Sequence, residues 1–295
     1  MNPTYSIIIP HHNSPSLLQR LLNSIPERND LEVIVVDDNS DEEKRAYSSR
    51  SDVKILYIDK LQTRGAGKAR NEGLAVAQGK WLLFADADDF YKEGFVNVLD
   101  KYEDSSCDVV YFDADSVDSN TFKPTPGRTR TLNRIVASYA SGISDEDEIR
   151  YKTHIPWNKM VRRSLIDKYN IGFEEVAQGN DAMFSFLVGY YADKIDVIQQ
   201  KLYVYTYTTN SITTRKKRSD ELLLCGLENY FKQKQFLKKV GHSDWLRSFP
   251  HYLYFVYKLR GLSGLLRVLK VFVTNARKIR RSKQKYVEIT NKHPK

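Results

Sequence analysis

Cysteine is scarce in this 295-residue chain, which contains only Cys107 and Cys225. They form no CxxC pair, and no histidine stands at a spacing suited to zinc, which argues against a zinc-binding module. This scarcity predicts a reducing compartment. The sequence also lacks a run of 18 apolar residues, and residues 1–4 lead into a predicted strand without the features of a signal peptide. We therefore expect a cytoplasmic protein without a membrane-spanning helix.

Acidic residues are absent between Lys258 and Lys285, where ten lysines and arginines occur. Removing these ten charges from the total of +9 leaves the remaining chain at −1. A nucleic-acid-binding core should carry positive charge across the fold itself, so we expect no nucleic-acid partner. Apolar residues recur here at helical spacing, at Leu259, Leu262, Leu265, Leu266, Leu269, Phe272, Val273, Ala276 and Ile279. We expect a basic amphipathic helix that either attaches peripherally to an anionic membrane, on the inner face of the cell membrane, or packs on the protein with a solvated basic face.

The first 85 residues alternate apolar runs with amphipathic segments. The runs typical of strands buried on both faces are Tyr5–Pro10, Leu31–Val36, Val53–Ile58 and Trp81–Phe84. Ser14 followed by Pro15 marks a helix start, and leucines follow at helical spacing. This alternation predicts a mostly parallel α/β sheet with right-handed crossovers. The length suits one large domain, or one domain plus an extension.

Three carboxylates follow the fourth predicted strand, at Asp86, Asp88 and Asp89. The carboxyl ends of parallel strands present ligands to solvent, and aspartate oxygens bind Mg²⁺ or Mn²⁺ while leaving positions for phosphate oxygens. Asp37 and Asp38 end the second strand at the same predicted edge. The sequence thus predicts a divalent metal site. The alternatives are a polar turn for the first group and a helix cap for the second.

A glycine-containing basic segment, residues 64–73, leads into the helix before the fourth strand. It has neither the spacing of a Walker A loop nor a GxGxxG pattern. It does bring Lys68, Arg70 and Asn71 to a helix N-terminus, which suits a diphosphate group. A plain surface turn is the alternative.

Several motifs together resemble the successive signatures of family 2 glycosyltransferases. They are Ser6–Asn13, Val33–Ser40, Gly67–Gly73 and Phe84–Asp89, followed by Trp157–Arg163, Gly179–Phe184, Tyr203 with Tyr205, and Ser211–Thr213. They cover about three quarters of the chain, from residue 5 to roughly residue 215. The resemblance implies a GT-A fold, with a mostly parallel Rossmann-like sheet flanked by helices. It also implies a nucleotide-sugar donor, a Mn²⁺ or Mg²⁺ cofactor and an inverting displacement.

The resemblance also implies roles for individual residues. Asp88 and Asp89 come first as metal ligands, and Asp86 is assigned to the ribose or to the metal. Asp38, with Asp37 beside it, accepts hydrogen bonds from the base or ribose. The other residues expected at the nucleotide are Pro10, His11, Asn13, Lys68, Arg70 and Asn71. His12 stands where the family commonly has an aromatic residue.

An inverting transfer needs a general base for the acceptor hydroxyl, and Asp181 is the candidate. It precedes the apolar segment Ala182–Gly189. A helix N-terminus there would fix the direction of the carboxylate and lower its pKa. The alternative is a helix cap without a chemical role. The family usually has Glu-Asp where this chain has Asn180 and Asp181, and Glu174 and Glu175 are the fallback candidates.

The acceptor side is less defined. Residues 114–150 predict a loop followed by a surface helix that contributes to the acceptor site. Trp157 is expected either to stack on an acceptor sugar ring or to anchor the core. The Gln-x-x-Arg-Trp motif is absent from the sequence, so we expect non-processive transfer. We divide the chain into a catalytic domain at 1–215, with a nucleotide half at 1–113 and an acceptor half at 114–215, and a basic helical extension at 216–295.

The resulting hypothesis is metal-dependent transfer of a sugar, from a UDP-sugar in the first instance, to a glycan or lipid-linked glycan during polysaccharide assembly. One alternative is a nucleotidyltransferase, which would need a glycine-rich basic loop directly after the first strand. Residues 10–13 do not provide such a loop. A second alternative is a non-catalytic protein that binds glycan or lipid.

Overall fold

The computed structural model describes residues 3–58, 65–207 and 219–292. Within these ranges, eight strands form one sheet in the order β3-β2-β1-β4-β7-β6-β8-β5. The strands are β1 Tyr5–His11, β2 Leu31–Asp37, β3 Val53–Tyr57, β4 Trp81–Phe84, β5 Phe90–Tyr91, β6 Val109–Asp118, β7 Lys159–Arg162 and β8 Ile195–Tyr207. The α-helices are α1 Pro15–Asn23, α2 Ala66–Val76, α3 Phe95–Leu99, α4 Arg130–Ala140, α5 Glu146–Lys152, α6 Arg163–Tyr169, α7 Ala182–Tyr191, α8 Asp220–Lys239, α9 Phe249–Thr274 and α10 Ala276–Lys292.

The first four strands occur where the apolar runs predict them. β1 pairs in parallel with β2 and with β4, and β2 pairs in parallel with β3. Every residue of β4 is buried, as are the central residues of β1 and β2, because helices cover both faces of the sheet. The prediction of an α/β fold with a parallel sheet is confirmed for this half.

The second half adds mixed pairing to the sheet. β7 runs antiparallel between β4 and β6, whereas β6 and β8 pair in parallel and β5 closes the edge antiparallel to β8. The prediction of a loop followed by a single surface helix at residues 114–150 is incomplete. β6 continues to Asp118, and α4 and α5 each bury part of their surface, with Ile135 and Ile149 fully buried. The acidic and prolyl residues of this region obscured its apolar pattern.

The basic C-terminal region forms three packed helices. The expected continuous helix from Leu259 to Ile279 is wrong, because Gly261 leaves helical geometry at φ 68° and α9 ends before Asn275. Val268 and Val271 of α9 pack with Leu223 and Leu227 of α8. Tyr286 of α10 is 3% exposed and joins the main core. No helix in the described ranges is both long and apolar enough to cross a bilayer.

Candidate active site

The carboxyl ends of three neighbouring strands bring the predicted acidic residues to one edge of the sheet. In the parallel register, His11 at the end of β1 lies opposite Asp37 at the end of β2. Ile8 lies opposite Phe84 at the end of β4, and its carbonyl accepts a hydrogen bond of 3.1 Å from the Ala85 amide. The loops after β2 and β4 therefore flank the loop after β1, as expected for a ligand site at this edge.

Asp37 holds the loops together from inside the protein. Its carboxylate accepts hydrogen bonds from His11 Nδ1 at 3.0 Å, from the Ser40 amide at 2.8 Å and from the Ala46 amide at 2.7 Å. Although burial raises its pKa, these donors hold the pKa of Asp37 below its usual range. His11 Nε2 accepts from the Ser14 amide at 3.2 Å. Both residues are 1% exposed, so this geometry favours a structural role over the expected nucleotide contact.

Asp38 is the acidic residue of this loop that can still accept a hydrogen bond. Its Oδ2 accepts a hydrogen bond of 2.7 Å from the Gly65 amide, at the start of α2. Its Oδ1 is buried, and nothing in the described part of the chain donates to it. A buried carboxylate oxygen without a donor is costly, so a ligand hydroxyl or N–H is the natural partner for Asp38.

The loop after β1 has a tight backbone. Asn13 adopts a left-handed conformation with φ 53°, and its Oδ1 accepts from the Asp41 amide at 2.8 Å. His12 is exposed, and its Nδ1 hydrogen-bonds the Asp38 carbonyl at 2.9 Å. Pro10 is half-buried and lies opposite Val36. His12, rather than the expected His11, is thus the imidazole on the open side of the loop.

Arg70 joins two of the predicted motifs across the site. Its Nη2 donates to Asp86 Oδ1 at 2.5 Å, and its Nη1 donates to Asn180 Oδ1 at 2.8 Å. The guanidinium carbon lies 5.2 Å from the centre of the Phe173 ring, and only 5% of the side chain is exposed. Arg70 therefore connects the metal-candidate carboxylates to the residue directly before Asp181.

Asp88 and Asp86 lie on the open side of the edge. Asp88 is exposed, and Asp86 has 34% of its side chain exposed. Desolvation by the surrounding protein, and then the negative charge of Asp86, raise the pKa of Asp88 to about 6. The guanidinium of Arg20, which donates to the Asp88 carbonyl, opposes this rise. Two repelling carboxylates of this kind provide oxygen ligands for a divalent cation.

Asp89 lies on the opposite side of its loop. Its Oδ2 accepts from the Tyr203 hydroxyl at 2.8 Å and its Oδ1 from the Thr206 amide at 2.7 Å. The side chain is fully buried, and burial, followed by the charges of Asp88 and Asp86, raises its pKa. This geometry argues against Asp89 as a metal ligand, because both of its oxygens already anchor the loop to β8.

The described residues do not by themselves supply a complete set of metal ligands. In residues 3–58, 65–207 and 219–292, no group of three or more His, Cys, Asp or Glu side chains is arranged to hold an ion. Asp86 and Asp88 still fit a cation that takes its remaining ligands from a diphosphate and water, as Mg²⁺ sites commonly do.

Asp181 stands at the start of α7, where the sequence predicts a helix. The expected fall in its pKa is wrong for this structure. Burial raises the pKa of Asp181, and the charge of Arg70 offsets this only in part. Burial disfavours the charged carboxylate, and this effect on the pKa outweighs the opposite effect of the helix N-terminus. A raised pKa makes the carboxylate a stronger base, which suits a group that removes a proton.

The fallback bases Glu174 and Glu175 are already paired, and so are Lys68 and Asn71. Glu174 is buried in an ion pair with Lys232. Glu175 accepts from Asn71 Nδ2 at 3.1 Å, and Lys68 pairs with Glu72 at 2.7 Å. Asn71 also bonds both backbone groups of Phe173. These contacts favour Asp181 over Glu174 and Glu175 as the base, and they give Asn71 a structural role.

Trp157 lies mostly inside the protein. It is 6% exposed and stacks on Tyr203 and Tyr205 at centroid distances of 4.8 and 5.9 Å. This arrangement favours the core-anchor alternative. The acceptor contact stays a prediction.

Several polar groups near this edge were missed by the sequence analysis. Asn158 is fully buried, and neither its amide oxygen nor its amide nitrogen has a partner within the described residues. Lys159 is also fully buried, donates to the Thr153 carbonyl at 3.1 Å, and has its pKa lowered by burial to about 7. Both belong to the Trp157–Arg163 motif, where polar residues alternate with apolar ones and the sequence alone does not show that they are buried. Arg64 and Ser211–Thr213, which belong to other predicted segments, lie outside the described residues.

Two curated relatives share part of this sequence. The chain is 27% identical over 255 residues to the uncharacterized glycosyltransferase EpsJ of Bacillus subtilis, covering 82% of this chain and 70% of EpsJ. It is 28% identical over 217 residues to the poly(ribitol-phosphate) beta-N-acetylglucosaminyltransferase TarS of Staphylococcus aureus, covering 68% of this chain. The matched region spans only 35% of the length of TarS.

Two solved structures share the fold. Residues 1–349 of S. aureus TarS in complex with UDP-GlcNAc match with a TM-score of 0.59 at 18% identity, over 97% of this chain and 92% of that one. A mannosyltransferase of Pyrobaculum calidifontis, in complex with GDP-Man and Mn²⁺, matches with a TM-score of 0.54 at 14% identity, over 100% of this chain and 82% of that one. These matches confirm the predicted GT-A fold.

The family model described as glycosyl transferase family 2 matches residues 6–169. The match includes the strand ends that carry Asp38, Asp86 and Asp88 and also includes Arg70, whereas Asp181 lies beyond it. Because the matched region exceeds half of the chain, this protein belongs to glycosyl transferase family 2 and is a glycosyltransferase.

Proposed function

We propose that this glycosyltransferase moves one sugar per encounter, with inversion and with the help of a divalent cation, from a nucleotide sugar to a glycan or lipid-linked glycan. The observation that carries the proposal is the Arg70 bridge between Asp86 and Asn180. The bridge links the donor-side carboxylate Asp86 to Asn180, the residue directly before the candidate base Asp181, and this supports a displacement between two substrates held close together.

On the donor side, Asp38 would accept from the base or ribose through its unsatisfied oxygen, and Asp86 and Asp88 would hold Mn²⁺ or Mg²⁺. When bound, the cation neutralises the charge that develops on the departing diphosphate. The start of α2 is fixed to Asp38 through Gly65, and it would add the partial positive charge of a helix N-terminus to a diphosphate bound at this edge. UDP is the first nucleotide to test because TarS is solved with UDP-GlcNAc, whereas the mannosyltransferase is solved with GDP-Man.

On the acceptor side, Asp181 removes the proton from the attacking hydroxyl. The acceptor oxygen forms a bond to the anomeric carbon while the bond from that carbon to the diphosphate oxygen breaks on the opposite face. The nucleoside diphosphate leaves, and the configuration at the anomeric carbon is inverted. Burial supports this role because it raises the pKa of Asp181 and strengthens the base.

Sugar transfer from a panel of UDP- and GDP-sugars, measured with Mn²⁺ and with EDTA, tests the proposal. We expect transfer from one donor that EDTA abolishes. Asp181→Asn should bind UDP with Mn²⁺ as the wild type does but lose at least about 100-fold in kcat, the lower range for a general base. Normal transfer by Asp181→Asn would remove it as the base, and EDTA-resistant transfer would remove the metal.

We further propose that α9 rests on an anionic membrane surface. Among the described residues, its large side chains that are at least 49% exposed are Tyr254, Phe255, Tyr257, Leu259, Leu262, Leu266 and Val273. Exposed Lys258 lies before the break at Gly261 in α9, and exposed Arg267 and Lys270 lie after it. Each lysine or arginine near anionic lipid contributes about 1 kcal/mol of attraction, and the apolar side chains enter the interface.

Co-sedimentation with vesicles of anionic and of neutral lipid tests this surface. Joint replacement of Leu259, Leu262 and Leu266 by serine should release the protein from anionic vesicles. Ile143→Ser is the matched control, because Ile143 is 81% exposed but lies on the loop between α4 and α5. Equal partition of the triple variant and the control would contradict the proposal.

A further inference from the structure

The segment that carries the candidate base is held from two sides. This base loop, residues 173–181, connects the core to α7 and ends with Asn180 and Asp181. The Glu174 amide donates to the Asn180 carbonyl at 3.1 Å, so the two ends of the loop are tied together. A displacement of Glu174 therefore moves the residue next to Asp181.

Helix α2 supports the front of the base loop. A Cβ at Gly67 would lie 2.0 Å from the Glu174 carbonyl oxygen and 2.9 Å from Cβ of Asn180. Asn71 donates to the Phe173 carbonyl at 3.0 Å and accepts from the Phe173 amide at 2.8 Å. The loop thus lies directly against the helix that also carries Arg70.

The C-terminal extension supports the back of the base loop. Lys232 of α8 lies 2.5 Å from Glu174 Oε1, with 7% and 5% of the two side chains exposed. Tyr286 of α10 lies beside the same carboxylate, and burial together with the charge of Glu174 raises the pKa of its hydroxyl. Gly179, with φ 72°, packs so tightly on α8 that a Cβ there would lie 2.1 Å from Asn229 Nδ2. Both helices lie outside residues 6–169, where the family model matches.

One of these contacts is a buried ion pair between Lys232 and Glu174. Lys232 is the cation paired with Glu174, whereas the Tyr286 hydroxyl beside the same carboxylate is neutral, so the negative charge is balanced by Lys232. Removing one member of a buried pair leaves an uncompensated charge, and the structure responds by moving that group towards water. Here the moving group is a residue of the base loop.

We infer that the C-terminal extension positions the catalytic base, and that Lys232 is the positioning residue through which it acts. This inference rests on the proposed role of Asp181. Lys232 does not contact substrate. It fixes Glu174, Glu174 fixes Asn180, and Asn180 together with Arg70 sets the place of Asp181 against the donor. The extension therefore contributes to the rate of transfer in addition to any contact with a membrane.

Lys232→Met tests the inference. Because small displacements of reacting groups cost up to about 100-fold in rate, we expect kcat to fall roughly 10- to 100-fold while the affinity for UDP with Mn²⁺ stays within about twofold. Lys232→Arg keeps the charge and should restore most of kcat. Lys278→Met is the matched control. Lys278 of α10 forms an ion pair of 3.8 Å with Glu228 of α8, but its side chain is 65% exposed. It should leave kcat unchanged.

Hydrogen exchange provides a readout that does not depend on activity. Amides of residues 174–181 should exchange faster in Lys232→Met than in the wild type or in Lys278→Met. If Lys232→Met does not fold, the double variant Lys232→Met with Glu174→Leu removes the buried charge and should fold with the same loss of kcat. Unchanged kcat and unchanged exchange in a folded variant would overturn the inference. Wild-type protein that transfers no sugar would overturn the proposed function instead, because the exchange result would stand.

Discussion

Arg70 connects the donor side of the site to the base loop, and Arg70→Met is expected to separate them. Methionine keeps much of the stem and retains contact with the Phe173 ring. It removes the two donors that reach Asp86 Oδ1 and Asn180 Oδ1. The substitution therefore tests the polar bridge while preserving most of the packing.

The expected loss of stability follows from the two bonds. A hydrogen bond to a charged group contributes about 1.5–3 kcal/mol and a neutral one about 0.5–1.5 kcal/mol. The Asp86 side chain is 34% exposed and can hydrogen-bond water in the variant, so the loss of its bond to Arg70 should cost about 1.5 kcal/mol, the low end of the range for a charged group. We expect a net loss of about 2–3 kcal/mol, which corresponds to a fall in Tm of roughly 4–12 °C for a domain of this size.

The expected loss of activity is larger than the loss of stability implies. Below its lowered Tm, Arg70→Met should show kcat reduced roughly 10- to 100-fold, because Asp181 is no longer held against the donor. Arg28→Met is the control. Arg28 also bridges two carboxylates, Asp30 and Asp100, but lies at the opposite edge of the sheet. It should lower Tm without changing kcat. Wild-type kcat in folded Arg70→Met would refute the role of the bridge.

Four further predictions follow from the same contacts. Burial raises the pKa of Asp181, and the base must be deprotonated to act. On acidification, kcat should therefore begin to fall at a pH above about 3.9, the ordinary pKa of aspartate. A fall in kcat that begins only at or below that pH would contradict the burial argument. Asp88→Ala should abolish the Mn²⁺-dependent part of UDP binding measured by calorimetry, whereas retained binding would move the metal elsewhere. Gly67→Ala should reduce folded yield and kcat together because its Cβ meets a backbone carbonyl, and a normal variant would show that α2 can retreat from the base loop. Trp157→Ala should cost about 3–5 kcal/mol in urea unfolding, as expected for a buried ring, and a loss below 1 kcal/mol would restore the acceptor-stacking alternative.

Much of the fold was predictable because its signals are local. The continuous apolar runs of β1, β2 and β4 and the Ser14–Pro15 helix start are each contained in a few neighbouring residues. The end of β6 was assigned to the loop of residues 114–150 because Asp113 and Asp115 interrupt the apolar run. The two lysines that pair with Asp115, Lys92 and Lys201, lie far from it in sequence. The break in the C-terminal helix was missed because a single glycine inside a helical pattern is tolerated in other chains.

The candidate site was predictable in composition but not in the direction of its side chains. Spacing alone treats Asp86, Asp88 and Asp89 alike, yet Asp89 is buried against Tyr203 and Thr206, residues more than 110 positions away. Asp37 and Asp38 are neighbours in sequence, yet one is satisfied by the protein and the other has an unpaired oxygen. Lys232, which lies in a helix with no motif, carries no local signal at all.

The sequence by itself determined the α/β sheet, the edge at which the carboxylates gather and the family of the chain. These properties depend on hydrophobic periodicity and on short motifs, which are written in contiguous residues. Only the tertiary structure decided which carboxylates face the open edge, that burial raises the pKa of Asp181, and that α8 and α10 lie behind the base loop. Burial and long-range pairing depend on the whole fold, because a side chain's charge, solvent and neighbours are set by segments far away in the chain.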